Sequence, residues 1–334
     1  MKIREAEPLK AHTTFKIGGP AAFYAELDGA EDVREAAALA RERGLPLRLI
    51  GEGSNLLVPD EGAAAVVARL APRDVRIEGE MLFASAGALW DAVVDAASGE
   101  GLWGIENLAG IPGTVGGAVV QNIGAYGAEL SETCAYVEAC DLSTGLVGRV
   151  GREDAGFAYR MSAFKDSRRL AVLGAAFTLS RRGAPRLGYQ DLQSAAAAGE
   201  SLGTPSEVAC AVRAIRMRKF PDLSKEGTAG SFFKNPVVSS ARTEELLARY
   251  PELPHFPQDG GAAKISLAWI LDHALSLKGH AVGGARLFER QPLVIATDAT
   301  ATARDVESLA EEIAERVRAA TGITIEREVE TFMR

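Results

Sequence analysis

The sequence is poor in the residues that build metal centres and covalent frameworks. Its 334 residues include 4 histidines and 3 cysteines, and the histidines show no spacing typical of metal ligands. Cys134, Cys140 and Cys210 are an odd set without a CxxC motif, which is typical of reduced thiols in a cytosolic protein. We therefore expect no metal site and no fold held by disulfides.

Long apolar runs and an excess of positive charge are also missing. No run approaches the roughly 20 residues that a membrane-spanning helix needs, and the N-terminal MKIREAEPLK lacks the apolar core of a signal peptide. The formal net charge is −8, whereas nucleic-acid-binding domains are usually basic. The sequence thus indicates a soluble, cytoplasmic protein with neither a membrane nor a nucleic-acid partner.

Glycine, by contrast, is abundant. The 35 glycines and 47% apolar residues indicate a globular protein of mixed helices and strands, with two or three domains. The densest stretch, Leu108–Gly127, has glycines at Gly110, Gly113, Gly116, Gly117, Gly124 and Gly127. This density excludes a long regular helix and allows backbone N–H groups to form a concave site for an anion. Gln121 and Asn122 add amide groups that can bind a phosphate or a heterocycle.

A second glycine turn precedes the first in the chain. Gly51–Val58 reads GEGSNLLV and follows a predicted strand, Leu47–Ile50. Neither turn is the GxGxxG that opens a helix in dinucleotide-binding folds. Two separate turns of this kind favour a ligand with a pyrophosphate and a large ring system, held between two lobes.

Hydrophobic periodicity predicts the main regular elements. The predicted helices are Ala30–Arg43, Leu89–Ala97, Ser206–Arg218 with Ser206 as its cap, Thr243–Tyr250, Leu267–Leu277 and Ala303–Ala320. The predicted strands are Leu47–Ile50, Ala63–Ala68, Tyr136–Asp141, Leu146–Val150, Leu170–Leu179 and a final strand in which Ile323, Ile325 and Val329 alternate with glutamates.

Six motifs in one order give the chain a family resemblance. GEGSN, IPGTVGG, QNIGAYG, YRMS, GSFFKNP and EREV occur between about Thr13 and Phe332. The chain closely resembles the UDP-N-acetylenolpyruvoylglucosamine reductases, FAD enzymes of the second step of peptidoglycan precursor synthesis. The pair QNIGAYG and GSFFKNP is highly specific at this separation, whereas each glycine turn alone is weak.

The resemblance implies an α+β fold: a vanillyl-alcohol-oxidase-type, two-lobed FAD-binding module and a C-terminal α/β substrate domain. The expected divisions are residues 1–70 and 71–218 for the two lobes and 219–322 for the substrate domain, with 323–334 expected to return to the body. It also implies a monomer that holds FAD non-covalently and uses NADPH to reduce UDP-N-acetylglucosamine enolpyruvate to UDP-N-acetylmuramate.

The resemblance assigns residues of this sequence to each task. The expected FAD-binding residues are Gly51, Gly53, Ser54, Asn55, Ile111, Gly113, Gly116, Gly117, Gln121, Asn122, Gly124 and Arg216. The expected substrate-binding residues are Tyr189, Lys219, Asn235 and Gln291. Arg160 matches the arginine that holds the substrate carboxylate, Ser231 the proton donor and Glu328 the acid near that carboxylate.

Some of these assignments have alternatives. Glu326 lies two residues from Glu328 and is the second choice for the acid, and Arg218 is adjacent to Lys219. The LGYQDL segment around Tyr189 resembles the subtype with a tyrosine-bearing loop, whereas GGAVV at Gly116–Val120 resembles the subtype without it. The alternative functions are an FAD oxidase or dehydrogenase of the same fold, acting on a hydroxy acid or sugar lactone, and a flavin- or nucleotide-binding sensor without turnover.

Overall fold

The computed structural model describes residues 1–166 and 169–332. These residues form two compact units. Unit 1 comprises Met1–Glu7, Ala21–Glu52 and Ala64–Met217, and unit 2 comprises Pro8–Pro20, Gly53–Ala63 and the residues from Arg218 onward. The expected division at residues 70, 218 and 322 stays a prediction, and the last two residues of the segment 323–334 lie outside the described residues.

Both units contain strands and helices. In chain order the strands are β1 (Lys2–Pro8), β2 (Pro20–Leu27), β3 (Leu47–Leu49), β4 (Leu56–Leu57), β5 (Ala63–Leu70), β6 (Val75–Glu78), β7 (Met81–Ser85), β8 (Gly124–Ala125), β9 (Ala128–Glu129), β10 (Cys134–Asp141), β11 (Val147–Gly151), β12 (Leu170–Thr178), β13 (Gly227–Ser231), β14 (Val237–Val238), β15 (His255–Pro257), β16 (Ala263–Ile265), β17 (Ala281–Val282), β18 (Ala285–Phe288), β19 (Gln291–Thr297) and β20 (Glu330–Thr331). The α-helices are α1 (Ala30–Glu42), α2 (Trp90–Gly99), α3 (Val115–Gln121), α4 (Ala163–Asp166), α5 (Gln190–Ala197), α6 (Pro205–Lys219), α7 (Ser240–Arg249), α8 (Leu267–Trp269) and α9 (Ala303–Thr321). A π-helical turn, Ile270–Ala274, continues α8, and short 3₁₀ turns lie at Leu9–His12, Glu106–Leu108, Leu130–Glu132 and Asp259–Gly261.

Unit 1 is built on two sheets. The first has the strand order β1-β2-β5-β3, with β3 and β5 parallel, and the second has the order β11-β10-β12-β7-β6. The second sheet packs its apolar residues with α2, α3 and α6 into one core, in which Trp90, Phe177 and Val119 are fully buried. The glycine-rich stretch 108–127 is anchored by this core, because its Val119 belongs to it. Burial of such apolar side chains is the main stabilising term in folding.

Unit 2 contains a four-stranded sheet in the order β13-β19-β18-β17. Its apolar side chains pack against α9, whose buried stripe includes Val306, Leu309 and Ile313. The parallel pair β4 and β20 joins the segment after the GEGSN turn to the C-terminal segment. This pairing holds the segment after the GEGSN turn next to the last described residues of unit 2.

Most predicted elements are confirmed, among them the last helix, α9, whose N-terminus is capped by Thr302 and Asp305. The cap predicted at Ser206 is wrong. The Thr204 hydroxyl accepts the Glu207 N–H instead, because Pro205, which has no N–H, suits the first helical position. Ser206 lies inside the helix and donates its hydroxyl to the carbonyl of Ser98.

The predicted final strand is also wrong over most of its length. Ile323, Ile325 and Val329 are buried as the alternation predicts, but the segment forms one isolated bridge, between Arg327 and Phe233, before β20 begins. Alternating burial requires an extended backbone and one apolar face, and it can arise without a partner strand along the whole segment.

Two further properties concern the described residues as a whole. None of their helices has the length and apolarity to cross a membrane. Over the same residues, no group of three or more His, Cys, Asp or Glu side chains is arranged to hold a metal ion.

Candidate active site

The centre of the glycine-rich stretch in unit 1 is the short helix α3. Thr114 caps it by accepting the N–H of Gly117 at 3.4 Å, and Gly116 donates its N–H to the carbonyl of Ala86 at 2.9 Å. Asn122 ends the helix in the left-handed region, with φ 42°. The helix thus has seven residues, which is too short to be stable without support from its surroundings.

A second segment supplies that support, and we call residues 158–165 the clasp segment. It is joined to three consecutive residues at the end of α3 by hydrogen bonds from Ser162 Oγ to Val120 O at 2.7 Å, from Lys165 Nζ to Gln121 Oε1 at 2.7 Å and from Asn122 Nδ2 to Ala158 O at 3.0 Å. The QNIGAYG and YRMS motifs, which are far apart in the sequence, therefore lie side by side.

The two neighbouring amides predicted to bind FAD differ in their partners. Asn122 also donates to Glu129 Oε2 at 3.2 Å and accepts the Ser131 N–H at 3.0 Å, so its side chain stabilises the fold of this region. Gln121 is buried, and its Nε2 has no hydrogen-bond partner among the described residues. A buried amide donor without a partner fits a site that a polar ligand completes.

The GEGSN turn makes contacts within each unit separately. In unit 1, Gly113 donates its N–H to Glu52 Oε2 at 3.0 Å, and a Cβ placed on Gly51 would lie 2.5 Å from Thr114 Oγ1. In unit 2, Gly53 has φ +59°, and a Cβ there would lie 2.5 Å from the carbonyl of His12. Both glycines are therefore required by close approach of other atoms.

Asn55 in the same turn is engaged with the C-terminal segment of unit 2. Its Nδ2 donates to the carbonyl of Glu328 at 3.1 Å, and its own carbonyl accepts the Glu330 N–H at 3.0 Å. Ser54, the residue before it, is half-buried. The predicted cofactor residue Asn55 thus also determines the path of the chain at the predicted acid, Glu328.

Arg216 is hydrogen-bonded to the glycine-rich stretch 108–127. Its Nε donates to the carbonyl of Gly110 at 2.8 Å, and its guanidinium is hydrogen-bonded to the Tyr126 hydroxyl. Burial raises the pKa of Tyr126 to about 12, although the nearby guanidinium acts in the opposite direction. Burial likewise lowers the pKa of Arg216 from its usual value. The pair keeps a positive charge and a neutral phenol beside the glycine-rich stretch, in which Ile111 is half-buried.

Arg160 lies at a tight turn of the clasp segment. Ala158 and Met161 exchange both backbone hydrogen bonds at 3.0 Å, so Tyr159 and Arg160 are the two turn residues. Arg160 has φ +56°, which is uncommon for a residue that is not glycine, asparagine or aspartate. Its Nη2 donates to the carbonyl of Gly124 at 2.8 Å. The guanidinium is thus fixed next to the QNIGAYG motif.

Unit 2 brings together the predicted proton donor and the predicted acid. Ser231 ends β13 after an irregularity at Gly230, which has φ +77°. The N–H of Glu328 donates to the carbonyl of Phe232 at 2.8 Å, one residue beyond the serine. The Ser231 side chain forms no hydrogen bond with the part of the chain that the structure describes.

The geometry separates the two glutamates that the sequence left as alternatives. The Glu326 side chain is 74% exposed and forms an ion pair with Lys234 at 3.0 Å. Glu328 is half-buried, and its backbone is held at both its N–H and its carbonyl. An exposed carboxylate on a flexible side chain is poorly suited to a reaction that requires exact positioning, so the geometry favours Glu328.

The four predicted substrate residues lie in different elements. In unit 1 the Tyr189 ring, 46% exposed, lies 5.1 Å from the Tyr126 ring. In unit 2, Asn235 Oδ1 accepts the Leu267 N–H at 3.0 Å, and Gln291 Oε1 accepts the Leu293 N–H at 3.5 Å. Lys219 is half-buried at the C-terminal end of α6. No contact in unit 2 uses the amide NH₂ of Asn235 or Gln291 among the described residues.

Four residues of the site were missed by the sequence analysis: Glu52, Tyr126, Glu129 and Lys165. Each acts through a named neighbour, namely Gly113, Arg216, Asn122 and Gln121. The available signal was position, because Glu52 and Tyr126 lie inside motifs that the analysis had already selected and Lys165 follows Arg160 by five residues. Glu129 gave no signal of its own.

The residues fit a bound flavin. The glycine turns have no space for larger side chains at Gly51, the buried Gln121 donor lacks a protein partner among the described residues, and Arg216 places a cation beside Gly110. These are the features that a nucleotide cofactor requires of its site: close backbone approach, a buried polar group and positive charge.

Models of two protein families match separate parts of the chain. The family model for an FAD binding domain matches residues 21–151, and that for the C-terminal domain of UDP-N-acetylenolpyruvoylglucosamine reductase matches residues 222–332. The chain is 39% identical to the UDP-N-acetylenolpyruvoylglucosamine reductase of Pseudomonas aeruginosa, with 98% of each chain covered. The enzyme of the same name from Chromobacterium violaceum is 37% identical, again with 98% of each chain covered.

A solved structure extends the similarity to the fold. The crystal structure of the UDP-N-acetylenolpyruvylglucosamine reductase from Thermus caldophilus matches with a TM-score of 0.71 at 26% identity. The match covers 99% of this chain and 98% of the other. The predicted fold class, an α+β protein with a vanillyl-alcohol-oxidase-type FAD-binding module and a C-terminal substrate domain, is confirmed.

The contact between Gly51 and Thr114 gives a testable prediction. In Gly51→Ala the new methyl group would clash with Thr114 Oγ1 and displace the cap of α3. We therefore expect the free energy of unfolding to fall by about 1–3 kcal/mol and the purified protein to hold less flavin. Urea unfolding and the ratio of flavin to protein absorbance measure the two effects. The matched control is Gly148→Ala, where no atom lies within 4 Å of the added Cβ.

A second background makes this test specific. In Thr114→Ala the clashing hydroxyl is absent, so adding Gly51→Ala should change stability by little more than ordinary surface variation, about 0.5 kcal/mol. An equal loss in both backgrounds would show that the Thr114 hydroxyl is not what requires glycine at position 51.

Proposed function

The chain belongs to the UDP-N-acetylenolpyruvoylglucosamine reductase family, and from this premise we propose how its own residues perform the family's reaction. It is an FAD-dependent oxidoreductase that uses NADPH to reduce UDP-N-acetylglucosamine enolpyruvate to UDP-N-acetylmuramate in peptidoglycan precursor synthesis. The predicted cofactor FAD and co-substrate NADPH are confirmed by the same similarities. The observation that carries the function is 39% identity over nearly the whole chain.

FAD, when bound, supplies hydride transfer between NADPH and the enolpyruvyl double bond, and the protein supplies position and electrostatics. We assign its binding to the two glycine turns, the Gln121 amide and Arg216. The close packing at Gly51 and the buried Gln121 donor support this assignment. Asn55 and Asn122 would contribute by maintaining the shape of the site, since their amides bond to the protein itself.

Arg160 is the residue that we assign to the substrate carboxylate. Addition of a hydride to the double bond places negative charge on the carbon next to that carboxylate. A fixed cation stabilises this charge more in the transition state than in the ground state, and one such preorganised donor is typically worth about 2.7–4 kcal/mol. The bond from Arg160 Nη2 to Gly124 O supports the role, because it orients the guanidinium before the substrate binds.

Ser231 is the proton donor in this proposal. A serine hydroxyl is a weak acid, but it suffices when the acceptor is a strongly basic carbon and the transfer is well positioned, which contributes about 10²–10⁴ in rate. The conformation of Gly230 and the pairing of Ser231 with Val294 support a fixed position for the hydroxyl. Glu328 is the acid that we place near the substrate carboxylate, and the hydrogen bond from its backbone N–H to the carbonyl of Phe232, the residue after Ser231, supports its fixed position.

The remaining residues of the proposal bind the UDP-sugar. Asn235 and Gln291 each have an amide oxygen that accepts a backbone N–H, which leaves the NH₂ group as the donor for a ligand. Lys219 and the half-exposed Tyr189 are the residues that we assign to the diphosphate. We further propose that the enzyme acts as a monomer in the cytoplasm, and that cell shape and division depend on it through wall synthesis.

An anaerobic visible spectrum tests the function directly. Addition of NADPH to the purified protein should bleach the flavin band, and subsequent addition of the enolpyruvyl ether of UDP-N-acetylglucosamine should restore it. Restoration by O₂ alone would favour an oxidase of the same fold. A protein without a flavin band would contradict the assignment of the glycine turns.

The same experiment separates the role of Ser231 from that of the cofactor site. We predict that Ser231→Ala leaves bleaching by NADPH nearly unchanged and slows restoration by the UDP-sugar at least about 10²-fold, because proton donation belongs to the second half-reaction. The control is Ser240→Ala, an exposed serine in the same unit. Equal slowing of both half-reactions would exclude the proton-donor role.

The two glutamates give a paired prediction. We expect Glu328→Gln to slow the second half-reaction about 10²-fold or more. Glu326→Gln should change it by no more than about twofold, because Glu326 is exposed and such surface ion pairs contribute little. Stopped-flow absorbance of the flavin measures both rates, and the opposite ranking would reassign the acid to Glu326.

A further inference from the structure

Lys165 lies in α4, five residues after Arg160, and contacts two residues that the proposed function uses. Its Nζ donates to Gln121 Oε1 at 2.7 Å and to the carbonyl of Arg160 at 3.1 Å. Both contacts are within unit 1. One ammonium group therefore joins the predicted cofactor amide to the turn that carries the predicted carboxylate-binding arginine.

The contact with Gln121 determines which way its amide faces. A lysine ammonium can only donate hydrogen bonds, so the atom that faces it must be the amide oxygen. The NH₂ group is then directed away from Lys165, where it is buried without a partner among the described residues. A ligand atom that accepts a hydrogen bond would remove the penalty of that buried donor.

The contact with Arg160 supports a strained turn. Arg160 has φ +56°, a conformation that disfavours residues with a Cβ. The bond from Lys165 to the Arg160 carbonyl acts together with the paired backbone of Ala158 and Met161 to hold this conformation. Loss of the ammonium would therefore loosen both the amide and the turn.

We infer that Lys165 is a positioning residue that presents the Gln121 NH₂ group to an acceptor atom of bound FAD and fixes the Arg160 turn beside it. The inference rests on the proposed role of Gln121 in holding FAD. Lys165 itself touches neither cofactor nor substrate in this assignment. It acts through the Gln121 amide and the Arg160 carbonyl.

The test measures FAD binding to the holoenzyme, by the fluorescence of FAD released on dilution. We expect Lys165→Met and Gln121→Leu each to raise the Kd for FAD about 10- to 100-fold, the range expected when a buried hydrogen bond is lost. The double variant should bind FAD no more weakly than the weaker-binding single variant, because both changes act on the same hydrogen bond, the one from the Gln121 NH₂ group to FAD. The two single variants should also shift the visible flavin bands in the same direction.

Two conservative variants separate positioning from general stability. Lys165→Arg keeps a side chain that only donates, so FAD binding should stay within about threefold of the wild type. Gln121→Glu keeps a partner for Lys165 but removes the NH₂ group, so FAD should bind as weakly as in Gln121→Leu although the ion pair stabilises the fold. Lys2→Met, at an exposed lysine of the same unit, is the control for loss of charge.

Several outcomes would overturn the inference. They are wild-type FAD affinity in Lys165→Met, additive losses in the double variant, or wild-type affinity in Gln121→Glu. Wild-type FAD affinity in Gln121→Glu would overturn the inference even if Lys165→Met does not fold. A wild-type protein that bleaches and recovers in the anaerobic experiment retains the proposed function whatever Lys165 does, whereas one without bound FAD would overturn both.

Discussion

The geometry of unit 1 depends on hydrogen bonds from one segment to the end of a short helix. Helix α3 has seven residues and cannot maintain its last turn by its own backbone bonds. The clasp segment, residues 158–165, contacts Val120, Gln121 and Asn122 in succession. Because Gln121 and Asn122 open the QNIGAYG motif, the clasp segment holds the start of the motif that contains the Gly124 carbonyl. Arg160 is then oriented by that carbonyl.

In unit 2, buried aromatic side chains determine the position of the backbone next to Ser231. Phe232 and Phe233 are buried and lie 5.1 Å apart between ring centres, and Phe15 lies 6.4 Å from Phe232. Their burial fixes the backbone just after Ser231, to which the C-terminal segment attaches through the N–H of Glu328. Ser231 and Glu328, the proposed proton donor and the proposed acid, therefore lie on backbone whose position is set by apolar packing, so either side chain can be changed without removing the contacts that place the other.

The family resemblance carried by the six motifs implied the fold class, and hydrophobic periodicity predicted most of the individual helices and strands. The sequence could not identify the partners of amide side chains. Asn122, Asn55 and Gln121 all lie in glycine-rich motifs, yet the first two bond to the protein itself and the third keeps a buried donor without one among the described residues. The prediction of the final strand was wrong for the same reason. The partners of Ile323–Val329 are set by tertiary contacts, and the alternation of apolar and polar residues does not reveal them.

The contrast between Gln121 and Asn122 shows what the tertiary structure adds to a motif. Both residues carry the same functional group, and they are adjacent in the chain. Asn122 adopts the left-handed conformation and directs its amide toward Glu129, Ser131 and Ala158, so its hydrogen-bonding capacity is used by the fold. Gln121 faces an ammonium that can accept nothing, so only its oxygen is used. The fold thus makes an amide available to a ligand by leaving one of its groups without a protein partner, and the contact with Lys165 leaves the Gln121 NH₂ group without one among the described residues.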